Sequence, residues 1–210
     1  MNAKYCFFVL QFTLMKDFVA NNKHLRRLVE GNKRYIASHL QHPDQSSERR
    51  FELKYGQHPF AIILGCADSR VPPEVIFDQG LGDLYVVRVA GNVLDEVVMA
   101  SIEYAVLHVG VSLIMVMGHS QCGAVQAACA HEQLEGSLPA LVQAFNPALE
   151  QVKDQPGNLA ENVTLANVIN VTEKLKQTGA HFLEMLNENK LTIVPAYYDI
   201  DTGKVELLDV

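Results

Sequence analysis

Three short runs of apolar, largely β-branched residues interrupt the chain at 60–65 (FAIILG), 84–90 (LYVVRVA) and 112–118 (SLIMVMG). None alternates apolar with polar positions, which is the pattern of strands covered on both faces. Between the second and third runs, residues 97–109 repeat apolar positions at helical spacing, and Gly110 is placed to stop that helix. Residues 15–38 carry a helical stripe of Leu25, Leu28, Val29 and Ile36, and 123–135 reads as a further helix. Residues 158–177 predict a long helix and 180–187 a shorter one. A late strand at 191–200 then passes through the turn Asp201-Thr202-Gly203 into 205–208. This alternation predicts an α/β fold: a mostly parallel central β-sheet flanked by helices, with an N-terminal helical arm. The polar, proline-containing stretch 41–50 (QHPDQSSERR) reads as a linker. It divides an N-terminal extension and arm (1–50) from the α/β domain (51–210). The pattern contains no internal repeat, and the Asn-x-Thr triplets at Asn162 and Asn170 fall on a predicted helix and read as chance.

Composition narrows the field. A chain of 210 residues, 49% hydrophobic and 20% charged, is ordinary globular material with a sizeable core. A net charge of −7 excludes a general polyanion binder, so no nucleic-acid partner is expected. Four cysteines in this length do not make a disulfide scaffold, and two fall in metal-spaced clusters, so a reducing, cytoplasmic location is expected. Residues 5–15 (YCFFVLQFTLM) follow Lys4 and have the length of a signal core, which makes export the weaker alternative. Gln11 and Thr13 interrupt that segment, Asp17 follows it, and it is too short to span a bilayer. It is expected to pack on the protein or a partner, and Met15 offers a second start.

The chemistry lies in two clusters that each end an apolar run: Gly-Cys-Ala-Asp-Ser-Arg at 65–70 and His-Ser-Gln-Cys at 119–122. Two thiolates and an imidazole are the ligands zinc prefers, and three protein ligands leave a fourth position open for chemistry. Cys66 and Asp68, two apart at a strand end, are expected to project to one side, with Arg70 beside the carboxylate. His119 and Cys122 are expected to stack on a first helical turn, with the Gly123 N–H facing an anion. If the strands ending at Cys66 and His119 are neighbours, the clusters meet at the carboxyl edge of the sheet, where open α/β sheets bind ligands. Water on such a zinc ion ionises near neutral pH. Asp68 then has two possible jobs: paired with Arg70 it orients the hydroxide, and swung toward the metal it fills the fourth position. A lone strand-end cysteine is more often a small hydrophobe, and His-x-x-Cys alone is weak; together, with Asp68 and Arg70 at fixed offsets, they are specific.

These motifs resemble those of the β-class carbonic anhydrases. The resemblance runs from about Leu25 to the C-terminus, and is strongest in 57–74 (QHPFAIILGCADSRVPPE), 80–93 (GLGDLYVVRVAGNV), 101–110 (SIEYAVLHVG) and 117–125 (MGHSQCGAV). It implies zinc-dependent reversible hydration of carbon dioxide to bicarbonate and a proton, with Cys66, His119 and Cys122 as ligands. It implies Asp68 and Arg70 as the catalytic dyad, with Asp68 the fourth ligand of a closed state. Gln57, Tyr85, Tyr104 and Gly123 fall where such enzymes line the carbon dioxide and bicarbonate pocket. Some of these come from the neighbouring subunit, so the resemblance implies a dimer, often paired into a tetramer, whose arm embraces the partner. Ala67 stands where serine is common, and Tyr85 where phenylalanine is. One subgroup gates its zinc through a second bicarbonate site with a tryptophan three residues before the first cysteine. This chain has Ile63 there and no Trp, although Arg88 and Gly65 match other parts of that site, and Gln57 fits the non-gated branch. An open site at neutral pH is therefore expected.

The remaining cysteines and histidines take plainer readings. Cys129, two turns after Cys122, and Cys6 are expected to pack in apolar surroundings. His24, His39, His42 and His131 read as surface residues, and His108 as a partner of a helix C-terminus. For the proton shuttle, His24, Tyr104 and buffer are the candidates. Relatives on this scaffold that hydrolyse carbonyl sulfide or carbon disulfide offer a second function, and a zinc closed by Asp68 in a structural or bicarbonate-sensing role a third. A cysteine phosphatase is excluded, because Cys66 to Arg70 is too short a spacing for a phosphate loop and leaves the second cluster unexplained.

Overall fold

A computed structural model describes residues 17–130 and 134–209, and the N-terminal apolar segment, with Cys6 and His131, lies outside them. Five strands form one sheet: β1 (Ala61–Gly65), β2 (Leu84–Arg88), β3 (Leu113–His119), β4 (Thr192–Tyr198) and β5 (Val205–Leu207). The order is β2-β1-β3-β4-β5; the first four are parallel, and β5 returns antiparallel to β4. In register, Val86, Ile63, Met115 and Val194 lie side by side across the sheet. β1 and β3 are buried along their whole length, as their unbroken apolar runs require. Odd and even positions of β1 serve different layers: Ala61 and Ile63 join one core cluster, Ile62 and Leu64 the other.

The first layer is closed by α1 (Lys23–Ile36), α3 (Pro73–Ile76), α5 (Gly123–Cys129) and α7 (Asn146–Val152). Residues 17–21 are already helical, as the 15–38 periodicity suggested, but the helix breaks at Asn22, and α1 starts afresh where the Asn22 carboxamide accepts the His24 and Leu25 N–H groups. Leu25 and Leu28 are fully buried, each worth about 1.5–3 kcal/mol, but Ile36 is exposed. Asn32 takes over at that end: it donates to the carbonyls of Ile76 and Gly203 and accepts from Val205 N. This part of the expected arm therefore packs on its own sheet. The linker is also anchored, since Asp78 accepts from the backbone of Gln41 and His42 and from Arg34, and Ser46 caps α2 (Ser47–Glu52).

On the other layer lie α4 (Glu96–Tyr104), α8 (Leu159–Thr178) and α9 (Phe182–Asn187), contributing Val98, Ile102, Val168, Val171, Leu175 and Phe182. α4 runs on through a π-helical turn to Gly110, where the helix stops as expected. The helix expected over 123–135 closes at Cys129, and two helices absent from the sequence reading follow: α6 (Leu138–Gln143) and α7. Both carry Pro in their first turn, a start signal with too little periodicity behind it to register as a helix. α8 comes unusually close to β3. A Cβ on Gly118 would lie 2.6 Å from Val168 Cγ2, so only glycine there lets the helix settle at this depth. No described helix is long and apolar enough to cross a membrane.

Candidate active site

The pairing of β1 with β3 brings the two sequence clusters to one place at the carboxyl edge of the sheet. Cys66 follows the last residue of β1, His119 is the last residue of β3, and Cys122 caps the N-terminus of α5. Their ligand atoms all lie within 4.8 Å of one another, and all three residues are buried. His119 and Cys122 do not stack on a helical turn as spacing suggested. Gln121, at φ 56, reverses the chain between them, so the sulfur folds back toward the strand end.

This donor set fits a zinc ion on three counts. The two sulfurs are 4.0 Å apart, close to the roughly 3.8 Å separating two thiolates on a tetrahedral zinc. His119 Nδ1 lies 2.8 Å from the Ser120 carbonyl; as donor to it, the ring keeps a lone pair on Nε2. That Nε2 is buried without any partner, an arrangement that costs free energy unless a ligand occupies it. The thiols are coupled. The hydrogen bond between the two sulfurs holds the Cys66 pKa down to about 4, helped against burial by the Asp68 and Gly91 N–H groups. Sharing that hydrogen bond and being buried push the Cys122 thiol up, so without a metal the pair retains a proton between the sulfurs.

Asp68 and Arg70 stand beside the three candidate ligands. Arg70 donates from Nε and a terminal nitrogen to the two Asp68 oxygens, at 3.0 and 2.7 Å, and its backbone N–H adds a third bond at 2.9 Å. The guanidinium holds the Asp68 pKa down to about 2. Held this way, the carboxylate faces Arg70 and is not among the clustered thiol and imidazole atoms. Arg70 is steadied in turn by the Gln121 carbonyl at 3.1 Å. Arg88, at the end of β2, donates to the carbonyls of Cys66 and Asp68 and clamps the intervening segment.

The candidate pocket residues are not all brought together within one chain. Gly123 begins α5 beside Cys122, with open space around its Cα. Tyr85 packs with the core cluster that excludes Cys66 and Cys122. Tyr104 is 53% exposed and lies against His108, and Gln57 is exposed. His24 stacks on Phe60, just before β1, and therefore stands roughly 20 Å from Cys66 at the opposite edge of the sheet. It cannot pass a proton to the cluster of its own chain.

Sequence reading missed the groups that hold the ligands. Gly91 N donates to Cys66 Sγ at 3.2 Å, and the buried Asn167 donates to the Gly91 carbonyl at 3.2 Å. Ser120 ties the His119 turn to β4 and the loop after it, donating from its N–H to Tyr198 O and accepting Ile200 N at Oγ. One signal was available: Asn167 is a polar residue on the buried stripe of a long helix, between Val163 and Val171.

Comparison with known proteins agrees with this geometry. A sequence-family model described as carbonic anhydrase matches residues 61–205. The chain is 41% identical over 189 residues to "Carbonic anhydrase 2" of Mycobacterium tuberculosis, covering 88% of this chain and 91% of that one. It is 31% identical over 196 residues to a carbonic anhydrase of Synechococcus elongatus, covering 86% of this chain and 70% of the relative. Among solved structures it is similar to the β-carbonic anhydrase CafA of Aspergillus fumigatus, with TM-score 0.71 and 32% identity over 85% of this chain and 87% of that one. The β-carbonic anhydrase CcaA gives TM-score 0.70 and 27% identity, over 90% and 89%.

Proposed function

The chain belongs to the β-carbonic anhydrase family, and on that premise we propose that it catalyses the reversible hydration of carbon dioxide to bicarbonate and a proton, with zinc held by Cys66, His119 and Cys122. The observation that carries this reading is the buried, unpartnered His119 Nε2 facing two thiols whose sulfurs are 4.0 Å apart. When bound there, zinc would supply Lewis acidity that lets water ionise near neutral pH.

The protein's own groups do the positioning. Asp68, its pKa held near 2, stays ionised at neutral pH and acts by accepting a hydrogen bond from the attacking water, aiming an oxygen lone pair at carbon dioxide. It is too weak a base to take the proton itself. Arg70 keeps the carboxylate turned from the metal ligands, and the Gln121 carbonyl and Arg88 keep this short segment in place. The Gly123 N–H, at the start of α5, offers a donor to the bicarbonate product.

A second copy of the chain is proposed to complete the pocket and supply the apolar wall. β2 is an edge strand with one side unpaired among the described residues, and Val97, Tyr104 and Leu107 are exposed nearby in sequence along α4 and its π-helical extension. A reducing compartment such as the cytoplasm suits the site, because Cys66 and Cys122 must stay reduced to bind metal.

The test is stopped-flow carbon dioxide hydration by zinc-quantified protein from about pH 6.5 to 9, a range that brackets titration of the catalytic water. Strong activity persisting at neutral pH is expected. Activity confined to the alkaline end would refute the open dyad, and no activity at full zinc occupancy would refute the reaction.

A further inference from the structure

α8 buries an apolar stripe against the sheet, and one side chain on it is out of character. Asn167 is only 5% exposed, among Val163, Val168 and Val171. A buried carboxamide is costly unless its polar atoms are used. Its Nδ2 donates to the carbonyl of Gly91 at 3.2 Å, and Gly91 N donates to the sulfur of Cys66, also at 3.2 Å. The link joins residues far apart in sequence, and it depends on α8 lying as deep as Gly118 permits.

We infer that Asn167 is a positioning residue for the metal thiolate: by gripping the Gly91 carbonyl it keeps the Gly91 N–H aimed at Cys66 Sγ. The inference rests on the metal-centre reading above. The turn carrying Gly91 is otherwise held at its Val89 end, where Val89 N bonds Gly65 O, and Ala67 N and Asn92 N bond Val89 O. Gly91, at φ 63, occupies a backbone region with little preference of its own for this geometry. Without Asn167, the Gly91 carbonyl is buried and unpaired, and its peptide, left with only the Asn92 N–H bond to Val89 O, can tilt and carry the Gly91 Cα and N–H off line. The sulfur then loses an oriented amide donor that stabilises its negative charge.

The experiment measures zinc affinity by chelator competition, and the sulfur-to-metal charge-transfer band of the cobalt-substituted full-length protein. Asn167→Leu and Asn167→Ala remove the donor, and the nearly isosteric Asn167→Asp covers the case in which the first two fail to fold. Each is expected to weaken zinc binding about 10- to 100-fold, as loss of partners to ligating groups does. The cobalt band should move to lower energy, because the thiolate electrons are no longer stabilised by the N–H. Thr172→Val is the control. Thr172 is fully buried in the same helix, but its hydroxyl bonds only Val168 O, so the change should alter stability without moving either readout. Folded Asn167 variants with wild-type affinity and an unshifted band overturn the inference, as does an equal effect of Thr172→Val. Wild-type protein that takes up neither metal overturns the metal-centre reading and the inference together.

Discussion

Replacing Gly91 by alanine tests whether the turn beside the candidate metal ligands is set by sterics. At φ 63 an alanine suffers the left-handed penalty of about 1–2 kcal/mol. Its Cβ would also lie 2.3 Å from Phe145 Cζ, where ordinary contact begins at 3.4 Å, so the ring must retreat by more than ~1 Å. Phe145 is fully buried, so displacing its ring adds an over-packing cost of about 1–3 kcal/mol. Gly91→Ala should therefore cost about 2–5 kcal/mol, or roughly 4–20 °C in melting temperature for a chain of this size. Phe145→Leu alone should cost about 1–2 kcal/mol for lost packing. Combined with Gly91→Ala it should relieve the overlap, leaving a favourable coupling of about 1–3 kcal/mol. The assay is urea unfolding of metal-free protein at fixed concentration, because a self-associating chain gains stability with concentration. Additivity within about 0.5 kcal/mol would refute the steric argument and leave only the backbone penalty.

Other outcomes follow from the same geometry. Cys66→Ser, His119→Ala and Cys122→Ser should each lose zinc on dialysis against a chelator, measured as metal per chain, because each removes one of three buried ligands. Asp68→Asn and Arg70→Ala should keep a full zinc complement yet lose about 10²–10³ in kcat; wild-type turnover in either would exclude the dyad. The pH dependence has a definite sign. Asp68 is depressed from 3.8 to about 2, so the stability its pairing contributes is present above its ordinary value and lost as pH falls through about 2. Asp68 should therefore show no titration at neutral pH in a carboxyl-resolved NMR series. Arg70→Ala should move its titration up toward the usual carboxylate range.

Much of this protein was legible in the sequence. The unbroken apolar runs of β1 and β3 are strands covered on both faces as read, whereas the 84–90 run, read the same way, is only half-buried because β2 sits at the sheet edge. Each run ended on a metal-binding residue type, and a parallel sheet delivers strand ends to one edge, so Cys66 and His119 were bound to be considered together. Asp68 and Arg70 were equally readable, since their pairing is local to one short turn.

What the sequence could not decide depends on contacts between distant segments. The left-handed Gln121, which folds Cys122 back toward His119, is a non-glycine residue in a conformation that no local pattern announces. Phe145 against Gly91, and Val168 against Gly118, set how deeply the helices sit, and such contacts are fixed only once the layers are packed. Asn167 reaches the Cys66 sulfur through Gly91 because the sheet and α8 bring them together, although no spacing along the chain relates them. Local periodicity specified the strands, and the two motifs at their ends supplied the candidate metal ligands. Close packing alone determined how those ligands are held.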